Sequence, residues 1–526
     1  MHLQDWFLIE QERDNADSGL PIWSSGNTAQ PLIHGKTYFD CLVNEVHRLR
    51  AGDHLFFTDW RGDPDERMRD DGPTVSELFA DAAERGVVVK GLLWRSHLDK
   101  LEYSEEENRN LSEKVRDAGG EVLLDQRVRR GGSHHQKLVV LRHPGRPELD
   151  VAFAGGIDLC HSRRDDADHH GDPQPIRMAE AYGPNPPWHD VQLALRGPVV
   201  GLLDLTFRER WRDPTDLVQH GPIATVEDKL KGADMSADTL PERPADPPAC
   251  GPLNVQVLRT YPAMRPPYQF APLGEQTIAR GYTKTIRRAR RLIYLEDQYL
   301  WSAEVARLFA DALRAQDDLH LIAVVPRHPD VDGRFALPPN QIGRQKAIDL
   351  CTMAAPGRVH VFDVENHEGT PVYVHAKVCV IDDVWCCVGS DNFNRRSWTH
   401  DSELACAILD DTRDERAPAD PAGLGDGARV FARDLRLSLM REHLDRGDDD
   451  KDLVDPGTAI EAVTRSAEAL RDWHRGGRTG PRPPGRLVPH ETRQLPWYQR
   501  WWAAPAYRLM YDPDGRPWRD RRADRW

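Results

Sequence analysis

Apolar and polar positions along the chain fall into a strand, helix, strand order that recurs. "HLFFTDW" (residues 54–60) clusters aliphatic and aromatic residues as a buried strand does. "LFADAAERG" (78–86) follows with the spacing of an amphipathic helix, and "VVVKGLLW" (87–94) reads as a second strand. The same order returns in "RLIYLEDQYLW" (291–301), "LFADALRAQ" (308–316) and "LHLIAVVP" (319–326), and "LFADA" is repeated letter for letter at 78–82 and 308–312. The pattern predicts an α/β protein built from a duplicated unit.

Punctuation between these patterns divides the chain. "ADMSADTLPERPADPPACGP" (233–252) is rich in Pro, Asp and Ala without periodicity and predicts a linker over 215–252. The predicted organisation is an N-terminal extension (1–35), a first half (36–214), the linker, a second half (253–445) and a C-terminal region (446–526) that begins helical and turns rich in Arg, Trp and Pro. Residues 410–427 form an exposed excursion within the second half.

The duplication extends to chemistry. "VYVHAKVCVIDDVWCCVGSDNFNRRSW" (372–398) places His375 two residues before Lys377, runs through an apolar strand to Asp382, and turns at Gly389 and Ser390 toward Asn392 and Asn394. "SHHQKLVVLRHPGRPELDVAFAGGIDLCHSRRDD" (133–166) repeats the arrangement with His135 and Lys137, and sets Gly155, Gly156 and Asp158 where Gly389, Ser390 and Asn392 stand. Asp59 precedes His135 by 76 residues and Asp297 precedes His375 by 78. Residues two apart on a strand share a face, so each His projects with its Lys. Two such pairs closed about a pseudo-twofold axis would supply a nucleophile, an acid and two cations to one phosphate.

At these motifs the chain resembles the phospholipase D superfamily, over most of residues 36–445. The second half carries H-x-K-x4-D at His375, Lys377 and Asp382 followed by "GSDNFNRRS". In the first half "HHQK", "GGIDLC" with Arg163 and Asp165 nearby, "PWHDVQLALRGP" and "FRERW" are similar to the eukaryotic-type branch, as is "IYLEDQY" in the second. The resemblance implies two duplicated α/β/α sandwich halves, mixed sheets flanked by helices, with the active site at their pseudo-twofold interface. It also implies that His135 attacks phosphorus to give a phosphohistidine and that His375 protonates the leaving alcohol, then activates water or another alcohol. Asp190 and Glu403, each downstream of its own His, are the expected orienting carboxylates, with Asp401 as the alternative to Glu403. Lys137, Lys377 and Asn392 are expected on the phosphate oxygens, with Asn394, Asp158 and Ser390 lining the same pocket.

The first motif departs from the pattern at Arg142, where Asp is expected; Asp150, across a short predicted hairpin, is the candidate to replace that carboxylate. "RRDDADHHGD" (163–172) collects Asp and His residues but fits no ligand spacing, and reads as a solvated loop. Neither a metal nor another cofactor is expected, since Lys137 and Lys377 already provide cations.

Composition narrows the substrate. The formal net charge is −15; residues 476–526, with eleven Arg against five acidic residues, are +6, leaving −21 on the remainder. Such a body lacks the broad basic groove that nucleic acid requires, so a lipid phosphodiester is favoured over DNA or RNA. Eight scattered Cys with no CxxC fit a reducing compartment. An acidic N-terminus without a signal-peptide pattern, and no long apolar run, predict a soluble, monomeric cytoplasmic protein. Trp497, Trp501, Trp502 and Tyr507 among Arg500 and Arg508 are expected to pack on the body, with peripheral contact to a membrane as their other use. The expected activity is headgroup-side hydrolysis of a phospholipid to phosphatidic acid, with transphosphatidylation. A cardiolipin-synthase-like phosphatidyltransferase, a nuclease on the same scaffold and a non-catalytic lipid-binding relative are the alternatives.

Overall fold

The structure, a computed structural model, describes residues 2–96, 104–218, 236–332, 337–492, 495–523 and 526. Fourteen strands form its sheet framework, seven from each half. The first seven are β1 (Ser24–Ile33), β2 (His54–Asp59), β3 (Val88–Trp94), β4 (Glu121–Asp125), β5 (Leu138–Arg142), β6 (Val151–Gly155) and β7 (Val191–Arg196). The second seven are β8 (Leu253–Tyr261), β9 (Leu292–Asp297), β10 (His320–Val324), β11 (Val359–Glu365), β12 (Lys377–Ile381), β13 (Trp385–Gly389) and β14 (Glu403–Asp410).

In the first half the order is 4-3-2-5-6-7-1, parallel at 4-3-2 and antiparallel from 2 through to 1. In the second half it is 11-10-9-12-13-14-8 with the same directions. Every strand of the first half thus has a counterpart seven numbers on, which is the duplication the sequence predicts. A short irregular antiparallel pairing of β1 with β8 joins the two sheets.

Helices follow the same repeat: α1 (Gly35–His47), α2 (Val75–Glu84), α3 (Ser104–Asp117) and α4 (Val199–Arg212) correspond to α5 (Thr277–Arg288), α6 (Ala303–Ala315), α7 (Leu337–Ala354) and α8 (Val430–His443). The two "LFADA" helices start at real caps. Thr74 and Glu77 form a capping box on α2, and Ser302 caps α6.

Alternation along the strands separates three cores. Val139, Leu141 and Phe153 face one outer helical layer with Phe39 and Phe79; Cys379, Ile381 and Cys387 face the other with Phe309 and Trp398. Val140, Ala152, Leu193, Val378, Val388 and Ile408 face inward, where α4 and α8 fill the space between the halves through Phe207, Trp211, Leu439 and Met440. The halves are welded by one continuous apolar layer.

Part of the linker packs against the body. Residues 219–235 of it lie outside the described residues, but 236–252 run docked on the first half: Leu240 is buried, Pro241 O accepts from Arg208, and Pro244 O and Ala245 O accept from Arg142. Beyond α9 (Pro456–Arg475) the C-terminal region adds Leu487–Pro489 antiparallel to β11, then α10 (Trp497–Ala506). The aromatics there divide: Tyr507 is buried and donates to Trp301 O, while Trp497 and Trp501 are more than four-fifths exposed beside exposed Leu509 and Met510. Among the described residues no helix is long and apolar enough to cross a membrane.

Candidate active site

Both His-x-Lys segments enter at the ends of inner strands, Lys137 just before β5 and Lys377 opening β12. The residues ahead of each His pair with the opposite half. Val374 lies parallel to His189, and His134 to Ser402, in equivalent positions of the repeat. His375 N donates to His189 O at 2.8 Å and His135 N to Ser402 O at 2.9 Å. Each histidine is therefore hung by its backbone on the other half, which fixes the interface and the site together.

The side chains cross in the same way. His375 Nδ1 meets Asp190 Oδ2 at 2.7 Å; His135 Nδ1 lies 3.1 and 3.0 Å from the two oxygens of Glu403. The expectation that each carboxylate serves the His of its own half is corrected: Asp190 follows His135 in sequence but orients His375, and Glu403 orients His135. The cause is the parallel bridge just described, which carries residue 190 past residue 375 and residue 403 past residue 135. Asp401, the alternative to Glu403, instead accepts from Ser133 N and pairs with Arg396. With Nδ1 occupied on both rings, Nε2 is the nitrogen left to each histidine for chemistry.

Lys137 Nζ donates to His135 O at 3.0 Å and pairs with Asp158 at 3.1 Å. Lys377 Nζ donates to His375 O and to Gln298 Oε1. A third cation, Arg163, stacks 3.9 Å above the Trp188 ring. A cavity of about 460 Å³ opens here: His135, His375, Asp158, Arg163, Asn392 and Glu403 line it, and Trp60, Trp188, Trp301 and Tyr373 form aromatic walls. Burial, then Lys377 and Arg163, pushes His375 well below the ordinary imidazole range. Burial also lowers Lys377 to about 8, against the opposing pull of Asp190. Asp158 moves the other way: burial would raise it, but Lys137 and Arg163 outweigh that and hold it ionised.

The remaining expected site residues take varied parts. Asn392 Oδ1 is buried without a hydrogen-bond partner among the described residues, and the amide faces the cavity. Asn394 also lines the cavity, but its Oδ1 accepts from Ser397 N and caps a short helix. Ser390 is fully buried and donates to Glu403 Oε2 at 2.5 Å, so it supports the carboxylate behind His135. Asp382, expected among the catalytic groups, sits at the far end of β12 and accepts from the backbone N–H groups of Arg290, Arg291 and Leu292, where β9 begins. Its part is to hold β9 against β12.

Asp150 does not reproduce that contact. It pairs with Arg142 at 2.7 Å and accepts from His143 N, while Asp204 takes Arg142 at 3.0 Å from the other side, all of them buried. Arg142 is thus a neutralised core cation rather than a decayed Asp.

The segment 163–172 is a loop as expected but solvated only in part, with Ala167, Asp168 and His170 exposed. Asp165, His169 and Asp172 are buried, as are Arg163 and Arg164, because Asp165 accepts from Trp188 N and Asp172 from Arg164 N. Sequence reasoning passed over Arg163 and Gln298, both of which line the cavity; Arg163 carried a signal in its place after "GGIDLC", while Gln298 had none beyond its position after Asp297.

Comparison with known proteins points the same way. Residues 64–324 match the family described as phospholipase D, and residues 282–416 the family described as cardiolipin synthase, PLD-like domain. Phospholipase D alpha 2 of Arabidopsis thaliana is 25% identical over 577 residues, covering 84% of this chain and 69% of that protein. Phospholipase D alpha 1 of Oryza sativa subsp. japonica is 24% identical over 575 residues, covering 84% and 68%. In structure, the phosphatidylserine synthase of Haemophilus influenzae Rd KW20 superposes with a TM-score of 0.50 over 76% of this chain and 86% of its own, at 13% identity, and so shares the fold.

Proposed function

The chain belongs to the phospholipase D superfamily, on the side of its eukaryotic-type members, and from that premise we propose that it cleaves the headgroup-side phosphodiester of a phospholipid through a phosphohistidine. The observation that carries the reading is the pair of crossed dyads, His135–Glu403 and His375–Asp190, whose two histidines line one cavity with Arg163, while Lys137 and Lys377 lie buried behind them on the His135 and His375 carbonyls.

His135 Nε2 attacks phosphorus as the bond to the headgroup oxygen breaks, and the departing oxygen takes a proton from His375 Nε2. His375 is neutral while the site is empty. The phosphodiester anion offsets the cations that keep it so, and Asp190 at 2.7 Å favours the imidazolium that then forms. Once the headgroup has left, His375 draws a proton from water or an alcohol, whose oxygen displaces His135 to give phosphatidic acid or a phosphatidyl alcohol. Transfer to the hydroxyl of a second lipid is a further outcome of the same step, favoured by the match of the second half to a family described by cardiolipin synthase.

The C-terminal Trp497, Trp501, Leu509 and Met510 support seating at a lipid surface: they are exposed, Tyr511 next to Met510 lines the catalytic cavity, and residues 476–526 are net basic in an acidic chain. The test is incubation with mixed phospholipids plus a primary alcohol. Headgroup release with a phosphatidyl alcohol that grows with alcohol concentration is expected. Release giving only phosphatidic acid at high alcohol would remove the covalent route.

A further inference from the structure

Behind the catalytic cavity, on the far side of the Asp190 peptide, three histidines and a glutamate converge. His34 comes from the turn between β1 and α1, His169 from the 163–172 segment, His189 from just ahead of β7, and Glu442 from the last turn of α8. The rings of His34, His169 and His189 are at least 96% buried, and one ligand atom from each of the four residues lies within 4.8 Å of every other. We propose that this cluster is a structural divalent transition-metal site, of the zinc type, that fastens the two halves of the chain together behind the active site.

The distances distinguish a metal shell from a hydrogen-bond network. His169 Nε2 and His189 Nδ1 stand 3.4 and 3.5 Å from the same oxygen, Glu442 Oε1, while His34 Nε2 is 2.9 Å from Oε2. Ligands about 2.0–2.1 Å from a tetrahedral ion are separated from one another by about 3.3 Å, close to the first two values. As hydrogen bonds those contacts fail: His169 Nε2, His189 Nδ1 and Glu442 Oε1 are buried with no hydrogen-bond partner among the described residues. Three buried polar atoms without a hydrogen-bond partner, converging on one point, form a donor set that a divalent ion would satisfy. The rings meet edge to face, at 90° for His34 with His169, 70° for His34 with His189 and 64° for His169 with His189, so that nitrogens rather than ring faces point inward.

Outer contacts fit the same assignment. His189 Nε2 lies 2.7 Å from Glu296 Oε2, and Glu296 Oε1 also meets His443 Nε2 at 2.8 Å, which is the carboxylate behind a metal-binding imidazole that fixes its tautomer. His169 Nδ1 lies 3.2 Å from Trp188 O. His34 and His169 both hold φ values of 69° and 56°, a region a non-glycine residue adopts only when its surroundings impose it. Three imidazole nitrogens and one carboxylate oxygen suit zinc, and cobalt as its substitute; calcium and magnesium prefer all-oxygen shells. Four protein ligands close the shell, which makes the role structural.

The site touches the chemistry through backbone. His34 N donates to Asp190 O at 2.9 Å, and His189 O accepts from His375 N and Ala376 N. A bound ion would thereby stiffen both members of the His375–Asp190 dyad without contacting substrate.

The test is metal analysis of the full chain, loaded with zinc and dialysed, beside protein stripped by a strong zinc chelator. About one zinc per chain is expected, with a melting temperature that falls on stripping and returns on adding zinc. Cobalt loaded into stripped protein should show the intense visible bands of a tetrahedral ion. His169→Gln and Glu442→Gln should each lower zinc occupancy several-fold while circular dichroism stays native. Absence of stoichiometric zinc together with a melting temperature indifferent to chelator would overturn the assignment, as would full occupancy in both variants. None of these readouts needs lipid turnover, so they stand or fall apart from the proposed activity.

Discussion

Asp190 orients His375 at 2.7 Å across 185 residues of sequence, and Glu403 returns the relation to His135 across 268. Neither half of the chain contains a complete dyad, so the catalytic unit exists only when the pseudo-twofold interface closes. Asp190→Asn should keep the fold and the hydrogen-bonding shape while removing the charge that supports the His375 imidazolium. A fall of about 100-fold or more in kcat with little change in KM is expected, and Glu403→Gln should do the same through His135. Steady-state kinetics on a dispersed phospholipid decide it; a loss confined to KM would mean that the carboxylates act on binding.

Lys377 should give the proposed reaction an alkaline limb. Burial lowers it from the ordinary lysine value to about 8, so the charge that meets the phosphate is present below that pH and is lost as pH rises through it. The profile of kcat/KM should therefore bend downward near pH 8, chiefly through KM. Lys377→Arg, whose cation persists at every accessible pH, should be weaker overall but flat across that range. An unchanged limb in Lys377→Arg would assign the titration to another group.

Much of this architecture is legible in the sequence because it is written twice. The repeated strand, helix, strand order, the two His-x-Lys pairs and the equivalent turns at Gly155 and Gly389 each reinforce the other, and one copy alone would have been weak. What is illegible is whatever depends on how the copies meet. Spacing says that Asp190 follows His135 and Glu403 follows His375; only the parallel bridges at residues 189 and 402 reverse the partnership. Segment 163–172 looks solvated because its covering comes from outside it, Trp188 from a little beyond and Glu442 from far away in sequence. The same distance hides His34 from His169 and His189.

Arg142 carries the opposite lesson, since the family pattern misleads there. Arg142→Ala would leave Asp150 buried without its cation, while Asp204 keeps Arg208 at 2.9 Å, a loss of about 3–5 kcal/mol by the usual cost of breaking a buried pair. Asp150→Ala should cost less, because Asp204 still faces the guanidinium. Arg142→Asp, which restores the residue the pattern carries, should be the most damaging of the three, as it gathers three carboxylates in the core. Chemical denaturation ranks them, and stability unchanged in Arg142→Asp would refute the account.

If the exposed C-terminal aromatics seat the protein on lipid as proposed, they serve substrate delivery rather than chemistry. Replacing Trp497 and Trp501 together by Ala should weaken binding to anionic phospholipid vesicles on the order of tenfold and slow turnover of vesicle lipid, yet leave hydrolysis of a soluble short-chain phospholipid alone. Equal losses on both substrates would place these side chains in the folding of the C-terminal region instead. Sedimentation with vesicles and parallel assays on the two substrates separate the outcomes.

The identity of the attacking histidine is the sharpest remaining test, because the two dyads are near copies. His135 is the more open of the pair, with 15% of its side chain exposed against 5% for His375, and Glu403 approaches it with both oxygens. His375 lies among Lys377, Arg163 and Lys137, so the charge of a bound phosphate anion bears directly on its protonation. That asymmetry suits attack by His135 and proton transfer by His375. Label from a phospholipid carrying radioactive phosphate should accumulate on His135 in His375→Ala, where departure is slowed and discharge lacks its base, while His135→Ala should take up none. The same experiment with an alcohol added should leave the trapped label in place, since no group remains to deprotonate the acceptor. Label on His375 in the His135→Ala protein would exchange the two roles and leave the crossed dyads intact; absence of label from both variants and from wild type quenched in acid-stabilising conditions would mean that water attacks the lipid directly.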